Sequence, residues 1–231
     1  MERPMISLID IPFSLDTDQL LENSRISPGT AYAAEFEELI QQVREIGNPK
    51  VVYKKSFIDE KGEDSITLDG VTFTSRTLRK KLDSVECVFP FVATCGTEFD
   101  DLVSEQGNIH VQFWINLLKM KLLHDAIQYL EEHLRHRYQI PKVAAMSPGS
   151  GDASVWPFDQ QRELYSILGD VEEAIGVKLT KSLVLIPDVS VSGIFFPTQT
   201  DYQSCQLCHR ENCHYRRAPF DRQLWQAMNE G

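Results

Sequence analysis

The longest apolar stripe in the chain runs from Val111 to Arg137, where Phe113, Leu117, Leu118, Leu122, Ala126, Leu130 and Leu134 recur at three- and four-residue steps. That spacing predicts one long amphipathic helix whose stripe is wide enough for a central packing element. Such a helix must bury its stripe against another layer, and strand-like runs elsewhere can supply one. Val51–Ile58 is β-branched and aromatic, and Ser65–Leu68 and Val71–Phe73 flank Asp69-Gly70, a two-residue hairpin signal. Val85–Thr94 reads as a mostly buried strand, with Pro90 arguing for a sheet edge or a bulge. Val143–Met146, Ser182–Ile186 and Val191–Phe196 complete the strand set. Further helices are expected at Ala31–Ile46, Ser75–Leu82, Thr97–Val103, Phe158–Leu168, Val171–Gly176 and Pro219–Met228. The fold class is α+β, with a domain over 1–203 and a cysteine-rich tail over 204–231 packed on it.

At 231 residues and 42% hydrophobic content, the chain can bury one large core. Its 23 basic and 34 acidic residues give a net charge of −11, which repels phosphate backbones and argues against a nucleic-acid partner. No apolar run approaches the roughly 18 residues needed to span a bilayer. The opening Met1–Asp10 lacks a signal-peptide pattern, so a cytoplasmic location is expected. There, an odd count of five cysteines favours metal binding or inert thiols over disulfides.

Three of those cysteines fall together in Cys205-Gln-Leu-Cys208-His-Arg-Glu-Asn-Cys213-His214. A C-x2-C step followed by a third thiol can turn onto one soft metal ion or an iron–sulfur cluster. The polar neighbours are unlike those of buried thiols, which sit in apolar runs. A closed site needs a fourth ligand. His209 and His214 are local, while Cys95, at a strand end before Gly96, is favoured because a sheet would hold its thiolate direction. Four thiolates serve zinc or iron–sulfur equally, so spacing leaves the metal open. Cys87, inside an apolar run, reads as a core residue. His133 and His136, among Glu131, Glu132, Arg135 and Arg137, read as a solvated helix face.

The loop Ser147-Pro148-Gly149-Ser150-Gly151-Asp152 is too rich in glycine and proline for regular structure, and it can bring backbone N–H groups near a polar ligand. It lacks the lysine of a phosphate-binding loop. A plain turn is an equal reading of the same residues.

Asp170-Val-Glu-Glu-Ala-Ile-Gly-Val-Lys-Leu-Thr-Lys-Ser182, followed by Pro187-Asp-Val-Ser-Val-Ser-Gly193, resembles the reactivation domain of cobalamin-dependent methionine synthase. The resemblance covers Ser147 to Tyr202. It implies a twisted, mainly antiparallel sheet flanked by helices, and a domain that binds S-adenosylmethionine over a partner domain's cobalamin while cob(II)alamin is reduced and remethylated. It places the binding loop on Ser147–Asp152, with Ser147, Pro148, Gly149, Ser150 and Gly151 as contacts, and a binding tyrosine at Tyr202. The family's loop arginine is absent from Ala144–Ser147, and Ser150 stands where the family has a tyrosine. Without that bidentate carboxylate clamp, S-adenosylmethionine is the weaker expectation. The reading is an accessory protein for a cobalamin-binding methionine synthase or related corrinoid methyltransferase. Cys95, Cys205, Cys208 and Cys213 would hold an iron–sulfur cluster passing an electron to cob(II)alamin. The alternative is a non-redox module that binds a cobalamin domain and carries structural zinc.

Overall fold

The expected long helix forms over Ile109–Tyr138. The structure is a computed structural model that describes residues 4–99, 102, 108–150, 155–213 and 216–229. In chain order its elements begin with β1 (Ile6–Leu8), α1 (Thr17–Asn23), α2 (Ala31–Ile46), β2 (Lys50–Tyr53), β3 (Ser56–Lys61), β4 (Ser65–Leu68) and β5 (Val71–Thr74). α3 (Arg76–Lys81), β6 (Cys87–Thr94), α4 (the long helix), β7 (Val143–Met146), α5 (Gln161–Leu168) and α6 (Val171–Ile175) follow. β8 (Lys178–Leu179), β9 (Leu185–Ile186), β10 (Ser190–Pro197) and α7 (Arg222–Asn229) complete the set. Thr30, Ser75 and Asp170 cap α2, α3 and α6, each side chain accepting a backbone N–H of the first turn.

Every strand pairing is antiparallel. β6 is the spine. One of its edges pairs with β10, which in turn carries β7; the other is shared by β2 and β3. The single strand expected over Val51–Ile58 is therefore two. β2 pairs with the Phe91–Thr94 half of β6 and β3 with Cys87–Val88. The break falls at Lys54, buried with its ammonium 3.5 Å from Asp69 and 3.2 Å from the Ile167 carbonyl. Pro90 is consequently not at a sheet edge. Its carbonyl accepts the Lys54 N–H, so the side of Pro90 that lacks a donor faces the gap between β2 and β3.

The two faces of the sheet are covered differently. Tyr53, Phe89, Phe91, Ala93 and Phe195 point to one face, where α4 and α2 pack on them through Leu118, Leu122, Leu130, Phe36 and Ile40. Val88, Met146, Ile194 and Phe196 point to the other. That face is closed by α3, Trp156, α5, Leu207 and the partly buried Leu224 and Trp225 of α7. His133 lies on the packed side of α4, not on a solvated face: its Nε2 is 2.8 Å from the Tyr53 hydroxyl. No helix among the described residues is long and apolar enough to cross a membrane.

Candidate functional site

β7 delivers the chain into the Ser147 loop at one end of the sheet. Gly193 of β10 lies against it so closely that a Cβ there would sit 2.5 Å from the Met146 carbonyl and 2.7 Å from Ser147 Oγ. Gly149 has φ +70°, and its N–H bonds the Trp156 carbonyl at 2.8 Å. The Ser150 N–H turns back to the Ser147 carbonyl at 3.1 Å. Among the described loop residues, the Gly149 and Ser150 donors are thus already engaged by main-chain carbonyls. Gly151 and Asp152 lie outside the described residues.

Exposed apolar side chains stand beside this loop and on the hairpin that follows. A Cβ on Gly149 would meet the Phe158 ring 2.7 Å away, and Phe158 is 45% exposed. Three residues on, buried Gln161 donates to the Leu183 carbonyl and accepts from Ser192 Oγ, both at 2.8 Å. That side chain ties the 180s hairpin to α5 and β10. The hairpin carries Val184 and Ile186, each about half exposed. Sequence reasoning missed Phe158, Val184, Ile186 and Gln161. An exposed apolar residue reads like a core residue until the tertiary fold places it.

Tyr202 is buried rather than set in the loop. Its ring packs on Phe196, and Lys81 Nζ lies 3.9 Å from the ring centroid. Burial pushes its phenol up to about 12, with the neighbouring Ser204 hydroxyl pulling the other way. Its position is that of a packing residue.

The tail follows the outer edge of β7. Ser204 Oγ donates to the Ala145 carbonyl at 2.8 Å, and Leu207 is buried under α7. The Arg216 guanidinium organises the cysteine segment, donating to the carbonyls of Cys205, Cys208 and Ala218 at 3.2 Å and also to that of Arg210. The Arg217 N–H points at Cys205 Sγ, 3.4 Å away. Cys205, Cys208 and Cys213 are all partly exposed. His209 stacks against Phe220 and Trp225, and His214 lies outside the described residues.

Cys95 is not brought to this tail. It is fully buried in the core beneath α4, its thiol donating to the Gly96 carbonyl at 3.5 Å. Burial pushes that thiol up to about 12, so it stays protonated at neutral pH, the opposite of what a ligand thiolate needs. Among the described residues, no group of three or more His, Cys, Asp or Glu side chains is gathered to hold a metal. The thiol motif and the Ser147 loop do share one strand, β7, and that is the juxtaposition the fold makes.

An antiparallel sheet with a long helix on one face, and a turn-bearing end built on β7 and β10, makes this an α+β protein. Residues 117–218, under half of the chain, match the family model of the vitamin B12 dependent methionine synthase activation domain. That span takes in the Ser147 loop and the cysteine segment. The crystal structure of the MetH reactivation domain bound to AdoHcy superposes with a TM-score of 0.58, covering 87% of this chain and 81% of that one. At 16% identity, that likeness establishes a shared fold. No curated protein matches the chain.

Proposed function

We propose that this chain assists the reductive reactivation of a cobalamin-dependent methionine synthase, or of a related corrinoid methyltransferase, by setting its β7–β10 end over the corrinoid domain of a partner. The observation that carries the reading is a set of exposed apolar side chains: Phe158 beside Gly149 of the Ser147 loop, and Val184 and Ile186 on the hairpin that Gln161 ties to α5 and β10. Exposed apolar side chains on elements tied together in this way suit a large flat macrocycle and exclude water from above it. The family match supplies the corrinoid class. Bound cobalamin would supply the cobalt chemistry. This chain's part is to position and shield it.

S-adenosylmethionine fits this chain's loop poorly. The Gly149 cradle is filled by Phe158, the Gly149 and Ser150 N–H groups are engaged by the Trp156 and Ser147 carbonyls, and residues 144–150 contain no arginine. No step is therefore assigned to that cofactor here. A metal centre on Cys205, Cys208 and Cys213 rests on their spacing and on the N–H directed at Cys205. The described residues do not assemble it, so no electron step is routed through it. The alternative, a non-redox module whose tail is structural, draws support from the anchoring of that tail by Ser204, Leu207 and Arg216. Iron and zinc analysis of protein purified without oxygen separates the two: stoichiometric iron with visible absorption supports electron delivery, and zinc alone supports the structural tail.

The docking claim is tested with a cobalamin-loaded fragment of a methionine synthase that lacks its own reactivation domain. The wild-type chain should bind it, and Phe158→Asp should weaken binding about tenfold or more by burying a charge in the contact. Undiminished binding by Phe158→Asp together with Val184→Asp would overturn the proposed face.

A further inference from the structure

A second site lies away from the loop end, on the outer side of α4. There Phe113, Leu117 and Met120 form one wall of a trough, Leu20 of α1 forms another, and the segment after the cysteine motif closes one end. The trough encloses about 470 Å³. Its wall on α4 runs from Phe113 to His124, roughly 16 Å at helical rise, a length that an extended chain of about ten carbons can follow.

The closed end is cationic in a chain of net charge −11. Lys121 is neutralised by Asp125, both carboxylate oxygens lying 2.6 Å from Nζ. Asp125 also accepts the Ser14 N–H. That leaves Arg216 and Arg217. The first donates only to carbonyls, and the second reaches His124 Nδ1 at 3.2 Å. Among the described residues neither guanidinium has a carboxylate within ion-pair distance. Burial, Arg217 and Lys121 hold His124 below its ordinary value against the pull of Asp125, so the ring accepts from Arg217 as a neutral imidazole. The arrangement is a largely apolar trough that ends at a guanidinium with no carboxylate partner among the described residues.

We propose that this trough binds an amphipathic monoanion, with a carboxylate or phosphate head on Arg217 and an unbranched apolar tail of about ten carbons along Phe113, Leu117 and Met120. The head would take the donors that Arg217 now spends on His124. Because the Arg217 N–H contacts Cys205 Sγ, occupancy would also order the cysteine segment. The site stands apart from the β7–β10 end, and neither proposal depends on the other.

Calorimetric titration of the full chain with decanoate, decyl phosphate, decylamine and decanol, each below its micelle-forming concentration, tests this directly. One or both anions should saturate at one per chain, while the amine and the alcohol bind at least tenfold more weakly. Arg217→Gln removes the head contact. Asn116→Trp fills the trough from an exposed position. Each should weaken the anion about tenfold or more without altering the melting curve. Absence of saturable binding by either anion, equal affinity for decanol, or indifference to both substitutions would overturn the proposal. The comparison of head groups on the wild-type chain stands even where a variant fails to fold.

Discussion

Cys95 and Cys205 carry the same side chain at the borders of the same sheet, and their surroundings make them different chemical groups. Cys95 sits under α4 with no exposure, its proton held by burial. Cys205 is partly exposed on the β7 edge, with a backbone N–H aimed at its sulfur. Regular elements bury the first; loop carbonyls gathered by one arginine present the second. The place of Cys95 at a strand end, where a sheet would fix its thiolate direction, made them look like partners. Burial separates them, and it assigns packing to one and reactivity to the other.

The comparison breaks most visibly under alkylation. At neutral pH in the native protein, iodoacetamide should modify Cys205, Cys208 and Cys213 at least about a thousandfold faster than Cys95, because the buried thiol must wait for an opening of the core and carries little thiolate. Peptide mass spectrometry reads each site. Comparable rates would mean that Cys95 is not sealed beneath α4.

Alkaline pH sharpens the same contrast. The folded pKa of Cys95 is raised from 9.0 to about 12, so its contribution to stability is fully present below pH 9 and is lost as pH rises toward 12. Linkage puts the full loss at about 4 kcal/mol as an upper figure. Tyr202, raised from 10.0 to about 12, adds a loss in the same direction above pH 10. Denaturant titrations from pH 8 to 11 should show Cys95→Ala losing less stability with pH than wild type. Parallel curves would contradict the assignment.

On the tail, Arg216→Ala removes the donor for four carbonyls. It should cost about 2–3 kcal/mol locally, seen as faster amide exchange across 205–213 and faster alkylation of Cys205, with the α4 core unchanged. The smallest effect is expected from Ser204→Ala, which deletes one hydrogen bond to Ala145 and should lower stability by about 1 kcal/mol. A larger loss at Ser204 than at Arg216 would show that the β7 edge, not the guanidinium, holds the tail.

Much of the fold was legible because it is written in local patterns. The Ala31–Ile46 helix forms over the expected residues, and Asp69-Gly70 turns β4 into β5. The division of Val51–Ile58 was not legible. Lys54-Lys55-Ser56 interrupts its apolar residues, but solvated lysines are common in strands, and only the distant Asp69 and Ile167 carbonyl explain why Lys54 can be buried there. His133 misled for a related reason: its charged neighbours flank a position that turns inward to Tyr53. β1 and α1 were missed, being short and weakly patterned. Of the helix expected over Thr97–Val103, residues 100, 101 and 103 lie outside those described, Thr97–Phe99 form a bend and turn, and Leu102 is helical. At the candidate site, the loop position followed from its Gly and Pro residues. The apolar rim did not, because exposure is a property of the assembled fold. From sequence, Arg216 reads only as a positive charge beside the thiols; its role in gathering the segment is not legible, since its four acceptors are main-chain oxygens.

The central claim is that this chain serves a corrinoid enzyme through its β7–β10 end. Its most direct measurement starts from a methionine synthase trimmed of its reactivation domain and poised as cob(II)alamin, supplied with a reductant and a methyl donor. The return of methylcobalamin absorbance is then followed with and without the chain. The account predicts recovery that depends on the wild-type chain and falls about tenfold or more with Phe158→Asp. Recovery at the same rate without the chain would contradict it.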